Sequence, residues 1–459
     1  MAAGAAAMAC PRRALSGEQQ QRPNFVVFLA DDLGYGDLGC FGHPLIRTPN
    51  LDKMAAEGVK LTDCYAASAV CSPSRSGMLT GRTPNRVGVY DWIPNDSPMH
   101  LRKDETTIAS ILKAAGYATC HVGKWHCNGK FNSAQQAQPG DHGFDHWFST
   151  QNNASPSHHN PNNFVRNGKA LGVLDGYSST LIVNEAIAWL KSRQDDSQPF
   201  CLFVCFHSPH EPIATADEFV RMYPTARQPE EAEYFGNVTQ MDHEIGRLLA
   251  HLDQSQQRQR TFGMFTSDNG PETLNRYRTA AKSYGSAGVL RGMKLHLYEG
   301  GIRVPGIIRF PAKVKGARVC SEPIISTDIL PTFCGLAGAK TPSDRAIDGA
   351  SFLPIFDDRP VVRNVPLYWQ YDHAISKPKV AMRHGDWKLL AAIDGRKKLG
   401  GYELYNLRDD VREKNDLAGT DAKRTSEMAS RMTKLYEEIK AEGPKWPQPQ
   451  VPPDKGERD

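Results

Sequence analysis

From Asn24 onward the chain alternates between short continuous apolar runs and longer amphipathic stretches. Phe25-Val26-Val27-Phe28-Leu29-Ala30 is apolar at every position, the pattern of a strand buried on both faces. Residues 117–122, 200–206, 261–266 and 304–310 are further predicted strands. Between them the apolar positions fall at helical spacing. Residues 48–58 carry Leu51, Met54 and Ala55 on one face, with Pro49 near the start and Gly58 at the end. Residues 105–115, 179–193, 237–254 and 327–337 are further predicted helices. Strands separated by helices predict an α/β fold, with a mostly parallel sheet sandwiched by helices.

The pattern changes near Pro360. Short runs at 366–370, 380–383, 387–392 and 402–407 predict a small antiparallel sheet, followed by a polar helix over 422–442. The expected division is residues 1–22 as a tail, 23–360 as a catalytic domain, 361–445 as a C-terminal sheet-and-helix subdomain, and 446–459 as a loose Pro-rich tail. Residues 151–163 are rich in Asn, His, Ser and Pro and read as a long irregular loop, a common place for function.

Composition narrows the class. The chain has 459 residues and a formal net charge of +4, with no long run of one sign, so bulk charge gives no reason to expect a nucleic-acid partner. No run of about 18 apolar residues occurs, so no membrane-spanning helix is expected. The ten cysteines include no CxxC pair and no zinc-like spacing. Met1–Ala9 is almost entirely small and apolar, and Ala7-Met8-Ala9 precedes Cys10 and Arg12-Arg13. That reads as the end of an export signal whose charged start is missing, which predicts a periplasmic or extracellular protein. A lipoprotein anchor at Cys10 and a plain Ala-rich tail are the alternatives.

Polar clusters follow the strands. Asp31-Asp32 follows the first; Gly123-Lys124-Trp125-His126 follows the run at 117–122. His207-Ser208-Pro209-His210 follows the run at 200–206, and Ser267-Asp268-Asn269-Gly270 that at 261–266. In open α/β sheets ligands bind beyond the carboxyl ends of strands, so these clusters are expected to converge. Asp31, Asp32, Asp268 and Asn269 offer hard oxygen donors that suit calcium or magnesium rather than zinc. Asp31-Asp32 alone would read as a cap or turn. Arg75, Lys124, His126, His210 and Lys294 add cationic and proton-transferring groups suited to an anionic ester.

Cys71-Ser72-Pro73-Ser74-Arg75 runs on to Thr80-Gly81-Arg82. Together with the clusters above, with Tyr298-Glu299-Gly300-Gly301 and with Asp348-Gly349, this stretch resembles the formylglycine-dependent sulfatases of the alkaline phosphatase superfamily. The resemblance spans roughly residues 23–440. It implies that Cys71 is oxidised to formylglycine (3-oxoalanine) by a formylglycine-generating enzyme. The hydrate would attack sulfur, become covalently sulfated, and then eliminate sulfate. It also implies a metal, usually calcium with magnesium as the alternative, held by Asp31, Asp32, Asp268, Asn269 and the modified Cys71. Arg75 and Lys124 would hold the hydrate, and His126 would remove its second proton. His210 and Lys294 would bind the sulfate, one of them protonating the leaving alcohol. A further substrate contact would fall near Asn152 or Asn153, where some relatives carry Ser. The expected substrate is a sulfated carbohydrate or small molecule. A phosphonate monoester or phosphodiester hydrolase on the same fold, and a non-catalytic sulfated-glycan-binding relative, are the competing readings.

Overall fold

The computed structural model describes residues 22–193 and 197–447. The expected export signal, Cys10 and most of the Pro-rich tail lie outside the described residues. Among these, one sheet of ten strands dominates. From one edge its order is Arg318–Cys320, Val59–Leu61, Gly306–Arg309, Thr261–Ser267, Asn24–Ala30, Phe200–Cys205, Ala118–Lys124, His146–Thr150, Val165–Arg166 and Lys169–Ala170. The five central strands from Thr261–Ser267 to His146–Thr150 are mutually parallel. Gly306–Arg309 runs antiparallel to both of its neighbours, so the sheet is mixed.

The first strand shows why the sheet is covered on both sides. Phe25, Val27 and Leu29 enter one hydrophobic core, while Val26, Phe28 and Ala30 enter the other. Successive side chains of a strand point to opposite faces, so a run without polar alternation must be buried twice. The first core includes residues of the helices Cys71–Thr80, Ile108–Ala114 and Ile329–Ala337; the second includes residues of Pro49–Ala56, Ser178–Lys191 and Pro229–Gln254.

Two helices differ from expectation. The helix expected from Asn237 begins at Pro229. Proline is favoured in a first helical turn, and Glu230 and Glu231 there suit the helix dipole. The helix Cys71–Thr80 has no amphipathic signature because all ten of its residues are buried, so no polar face marks its period. Gly81 ends it in the left-handed region, at φ 68°.

The C-terminal sheet holds Leu367–Gln370, Val380–His384, Trp387–Ile393 and Leu399–Asn406 in chain order, all antiparallel. One face packs Val380, Met382, Leu389 and Leu404 against Met432, Leu435 and Ile439 of the helix Ala422–Glu442. The other face packs Trp369, Ala381 and Leu390 with Tyr65, Val70 and Leu295. The small sheet therefore braces the residues beside Cys71 and Lys294. At the start of the tail, Trp446 is anchored: its indole N–H donates to the Gly88 carbonyl at 2.6 Å, and its ring lies 4.7 Å from that of His100.

Candidate active site

The carboxyl ends of the central strands bring the predicted residues together. Asp31 and Asp32 follow Asn24–Ala30, Lys124 ends Ala118–Lys124, and Asp268 and Asn269 follow Thr261–Ser267. Cys71 opens the buried helix, and Arg75 lies one turn further along it. Ligand atoms of Asp31, Asp32, Cys71 and Asp268 all lie within 4.8 Å of one another. The Cys71 Sγ sits 4.0 Å from Asp32 Oδ1. Asp32 adopts φ 62° and His126 φ 51°, left-handed conformations that the surrounding contacts must hold.

Charge is concentrated here on buried side chains. Lys124 Nζ lies 2.7 Å from Asp31 Oδ2, and both side chains are fully buried. Arg75 donates from Nε to Asp268 Oδ2 at 2.8 Å and from Nη1 to the Lys124 carbonyl at 2.8 Å. Lys294 Nζ is 2.9 Å from Asp32 Oδ2 and 3.2 Å from His210 Nε2. Asn153, on the irregular loop, accepts from Lys124 Nζ at 3.2 Å, and its Nδ2 lies 3.1 Å from His210 Nδ1. His126 is held beside this cluster, with Nε2 3.1 Å from the Ile93 carbonyl and with Lys124, Arg75 and Asp31 acting on it electrostatically.

The donor set fits a hard divalent cation. Asp31 Oδ1 and Asn269 Oδ1 are buried with no hydrogen-bond partner among the described residues. Unpaired buried oxygens are costly unless something else binds them. Burial, then nearby charges that include Asp31, push Asp268 up to about 6 and Asp32 up to about 7. Asp31 goes the other way: burial opposes ionisation, but the Lys124 and Arg75 cations hold it well below the usual range. Crowded carboxylates whose mutual repulsion is not fully offset are what a bound cation would relieve.

The histidines are poised as neutral groups. Burial, then Lys124 and Arg75, holds His126 well below its ordinary value. The Ile93 carbonyl can only accept, so Nε2 carries the proton and Nδ1, buried and unpartnered among the described residues, is the basic atom. Burial and then Lys294 likewise lower His210, whose Nδ1 faces the Glu211 carbonyl. Its Nε2 is therefore the acceptor for Lys294. Lys294 stays protonated: burial opposes the charge, but Asp32, Cys71 and Glu272 raise it.

Glu272 is the neighbour that sequence reasoning missed. It is buried, with Oε2 at 3.4 Å from Lys294 Nζ, and Arg276 reaches it through Nε and Nη2 at 2.7 Å each. Its position just beyond Ser267-Asp268-Asn269-Gly270-Pro271 was the available signal.

Comparison with known proteins agrees with this geometry. The sulfatase family model matches residues 23–339, and a model described as the C-terminal part of N-sulphoglucosamine sulphohydrolase matches residues 293–442. The chain belongs to the sulfatase family. It is 34% identical to N-acetylgalactosamine-6-sulfatase of Sus scrofa over 357 residues, covering 73% of this chain and 66% of that protein. It is 31% identical to steryl-sulfatase of Mus musculus over 421 residues, covering 74% and 66%. Among solved structures, Ps i-CgsB in complex with k-i-k-neocarrahexaose is similar, with a TM-score of 0.80 and 27% identity, covering 92% of this chain and 94% of that one. The named relatives are sulfuric ester hydrolases. Among the described residues no helix is long and apolar enough to cross a membrane.

Proposed function

We propose that the protein is exported and hydrolyses a sulfate monoester on a sulfated carbohydrate. Cys71, after oxidation by a formylglycine-generating enzyme, is the nucleophile. The observation that carries this reading is the convergence of Cys71 with three buried carboxylates and Asn269, ringed by Arg75, Lys124 and Lys294. The relative acting on N-acetylgalactosamine sulfate supports a sugar as the leaving group.

Asp31, Asp32, Asp268 and Asn269 would hold calcium, or magnesium, together with an oxygen of the modified Cys71. When bound, the cation polarises the nucleophile and a sulfate oxygen. The formylglycine hydrate supplies one hydroxyl to attack sulfur and a second whose deprotonation expels sulfate.

The chain's own residues do the rest. Arg75 fixes the helix that carries Cys71 against Asp268. Lys124 places a cation between Asp31 and Asn153. His126 Nδ1 is the base for the second hydroxyl. Lys294 Nζ carries a proton that it donates to His210 Nε2 across 3.2 Å, and the leaving alkoxide is protonated from this pair. Fixed donors in a dry site stabilise the charge that spreads over the sulfate oxygens.

The test is sulfate release from sulfated glycans and para-nitrophenyl sulfate, beside hydrolysis of bis(para-nitrophenyl) phosphate. The protein should come from a host that has a formylglycine-generating enzyme. Release from a glycan is expected. Turnover of the phosphodiester alone would establish the competing hydrolase reading. Inactivity of a protein whose Cys71 peptide carries the aldehyde would overturn the proposal.

A further inference from the structure

Two segments outside the predicted site meet beside it. Asp91 and Trp92 lead into Ile93, whose carbonyl faces both His126 Nε2 at 3.1 Å and the side-chain amide of Gln151 at 3.0 Å. The second segment, residues 371–375, lies in the C-terminal sheet's first connection. There the Ile375 amide donates at 3.0 Å to the carbonyl of Leu295, the residue after Lys294. One segment is thus pinned to the His126 side of the site and the other to the Lys294 side.

Between these anchors the two segments join through Asp91. The Tyr371 hydroxyl donates to Asp91 Oδ1 at 3.0 Å, and the Trp92 amide donates to the same oxygen at 2.8 Å. His373 Nδ1 lies 3.5 Å from Asp91 Oδ2. Exposure rises along this series. Tyr371 is 3% exposed, the Asp91 side chain 20% and the His373 side chain 58%. Burial raises the Tyr371 phenol, as does Asp91, while Lys294 and Arg276 pull it back, so the hydroxyl feels the site's charges. The Asp91 carboxylate accepts from two donors on one oxygen, is tied through Tyr371 to the Lys294 side of the site, and is partly exposed beside the His373 imidazole.

We infer that Asp91, presented with Tyr371 and His373, is a specificity-determining residue that accepts hydrogen bonds from the hydroxyls of the sugar carrying the scissile sulfate. The inference rests on the sulfatase reading above and deepens it. A carboxylate is acceptor-only and offers about four lone-pair positions, which suits hydroxyl groups. It gives nothing to an aryl or steroid leaving group and repels a second sulfate at the same place. The substrate class is therefore a sulfated sugar that keeps free hydroxyls on the ring bearing the sulfate. A site built to bind a hydroxyl discriminates strongly against ligands that lack it, because its own polar groups are then left unpaired.

The test compares N-acetylgalactosamine 6-sulfate, the sugar class named by the relative, with para-nitrophenyl sulfate. The ratio of their kcat/KM values is expected to fall about 10- to 100-fold in Asp91→Asn, mainly through KM for the sugar. A smaller fall is expected in His373→Ala, which removes an exposed side chain and leaves the packing intact. An unchanged ratio, whether both rates fall together or neither falls, overturns the inference and leaves Asp91 as a brace between segments. Calorimetric binding of the same sugar to Cys71→Ala protein needs no turnover. Weaker binding when Asp91→Asn is added supports the inference; equal affinity, or absence of binding in both, overturns it. Turnover by the wild type reports separately on the sulfatase reading.

Discussion

Arg75 and Asp268 are joined through a single carboxylate oxygen, with Nε at 2.8 Å and Nη2 at 2.7 Å from Oδ2. Arg75 lies one helical turn beyond Cys71, and Asp268 follows the strand Thr261–Ser267. The pair therefore locks the helix that carries Cys71 to the oxygen cluster. Both side chains are nearly or fully buried, so the pair is not screened by solvent. The guanidinium is raised further above its ordinary value; burial opposes this, and Asp268 and Asp31 overcome it.

Asp268→Ala should damage both ends of this link. It removes an oxygen donor from the proposed cation site and leaves Arg75 with a buried, less compensated charge. Breaking such a pair from one side costs about 3–5 kcal/mol. For the wild type, saturating calcium should raise the melting temperature, since a ligand at 100 times its Kd adds about 2.7 kcal/mol. In Asp268→Ala the melting temperature should drop and the calcium-induced rise should shrink or vanish. A rise of wild-type size in the variant would show that the cation is held elsewhere.

Cys71→Ala should abolish turnover while the fold survives. The side chain is small and buried, and its loss should cost about 1 kcal/mol. Near-native circular dichroism with sulfate release at background is the expected result. Peptide mass spectrometry of the wild type should show the Cys71 thiol replaced by an aldehyde. Release at the wild-type rate from the alanine variant would remove Cys71 from the mechanism.

Much of this was legible in the sequence because the strands announce themselves. Runs such as Phe25–Ala30 have no polar alternation, and their ends fix where Asp31, Lys124 and Asp268 must gather. Neither the helix Cys71–Thr80 nor Glu272 was legible. The helix is buried all round, so its period leaves no trace in polarity. Glu272 is a single acidic residue with Arg276 four residues on, and only the fold brings its other partner, Lys294, to it. The start of Pro229–Gln254 was missed because its first turn is a proline followed by two glutamates, although Ala232, Tyr234 and Phe235 just after it already enter the core.

Glu272→Gln should lower kcat/KM on sulfate esters without unfolding the protein. Burial opposes ionisation of Glu272, but Lys294 and then Arg276 hold it at about 2. The carboxylate is therefore ionised at neutral pH and helps aim Lys294. Glutamine keeps the shape but not the charge, and a loss of about 10-fold is expected. Adding Lys294→Ala should then cost much less than the sum of the two single losses, since neighbours in one network are not additive. Full additivity would mean that Glu272 acts without Lys294.

The junction with the C-terminal sheet should titrate in acid. Lys388 Nζ sits between Glu299 Oε1 at 2.9 Å and Glu413 Oε1 at 2.8 Å, and all three side chains are fully buried. Arg303 Nη1 lies 3.2 Å from Glu299 Oε2, and the Tyr65 hydroxyl donates to that oxygen at 2.6 Å. Burial alone would raise Glu299, but Lys388, Arg303 and Arg383 outweigh it and bring it from 4.5 to about 2. A carboxyl whose folded value is depressed contributes stability that is fully present above its unfolded value and is lost as pH falls through the folded one. Glu299 should therefore stabilise the fold fully above about pH 5 and lose that contribution on the way down to pH 2. Glu413 works in the opposite sense. Burial raises it to about 7, so its contribution fades as pH rises from 4.5 toward 7. Glu299→Gln should be less stable than wild type by a few kcal/mol at neutral pH, and the gap should narrow steadily below pH 5. Urea titrations of both proteins between pH 3 and pH 7 measure this directly. A gap that stays constant over that range would mean that the cost of the variant lies in packing rather than in charge.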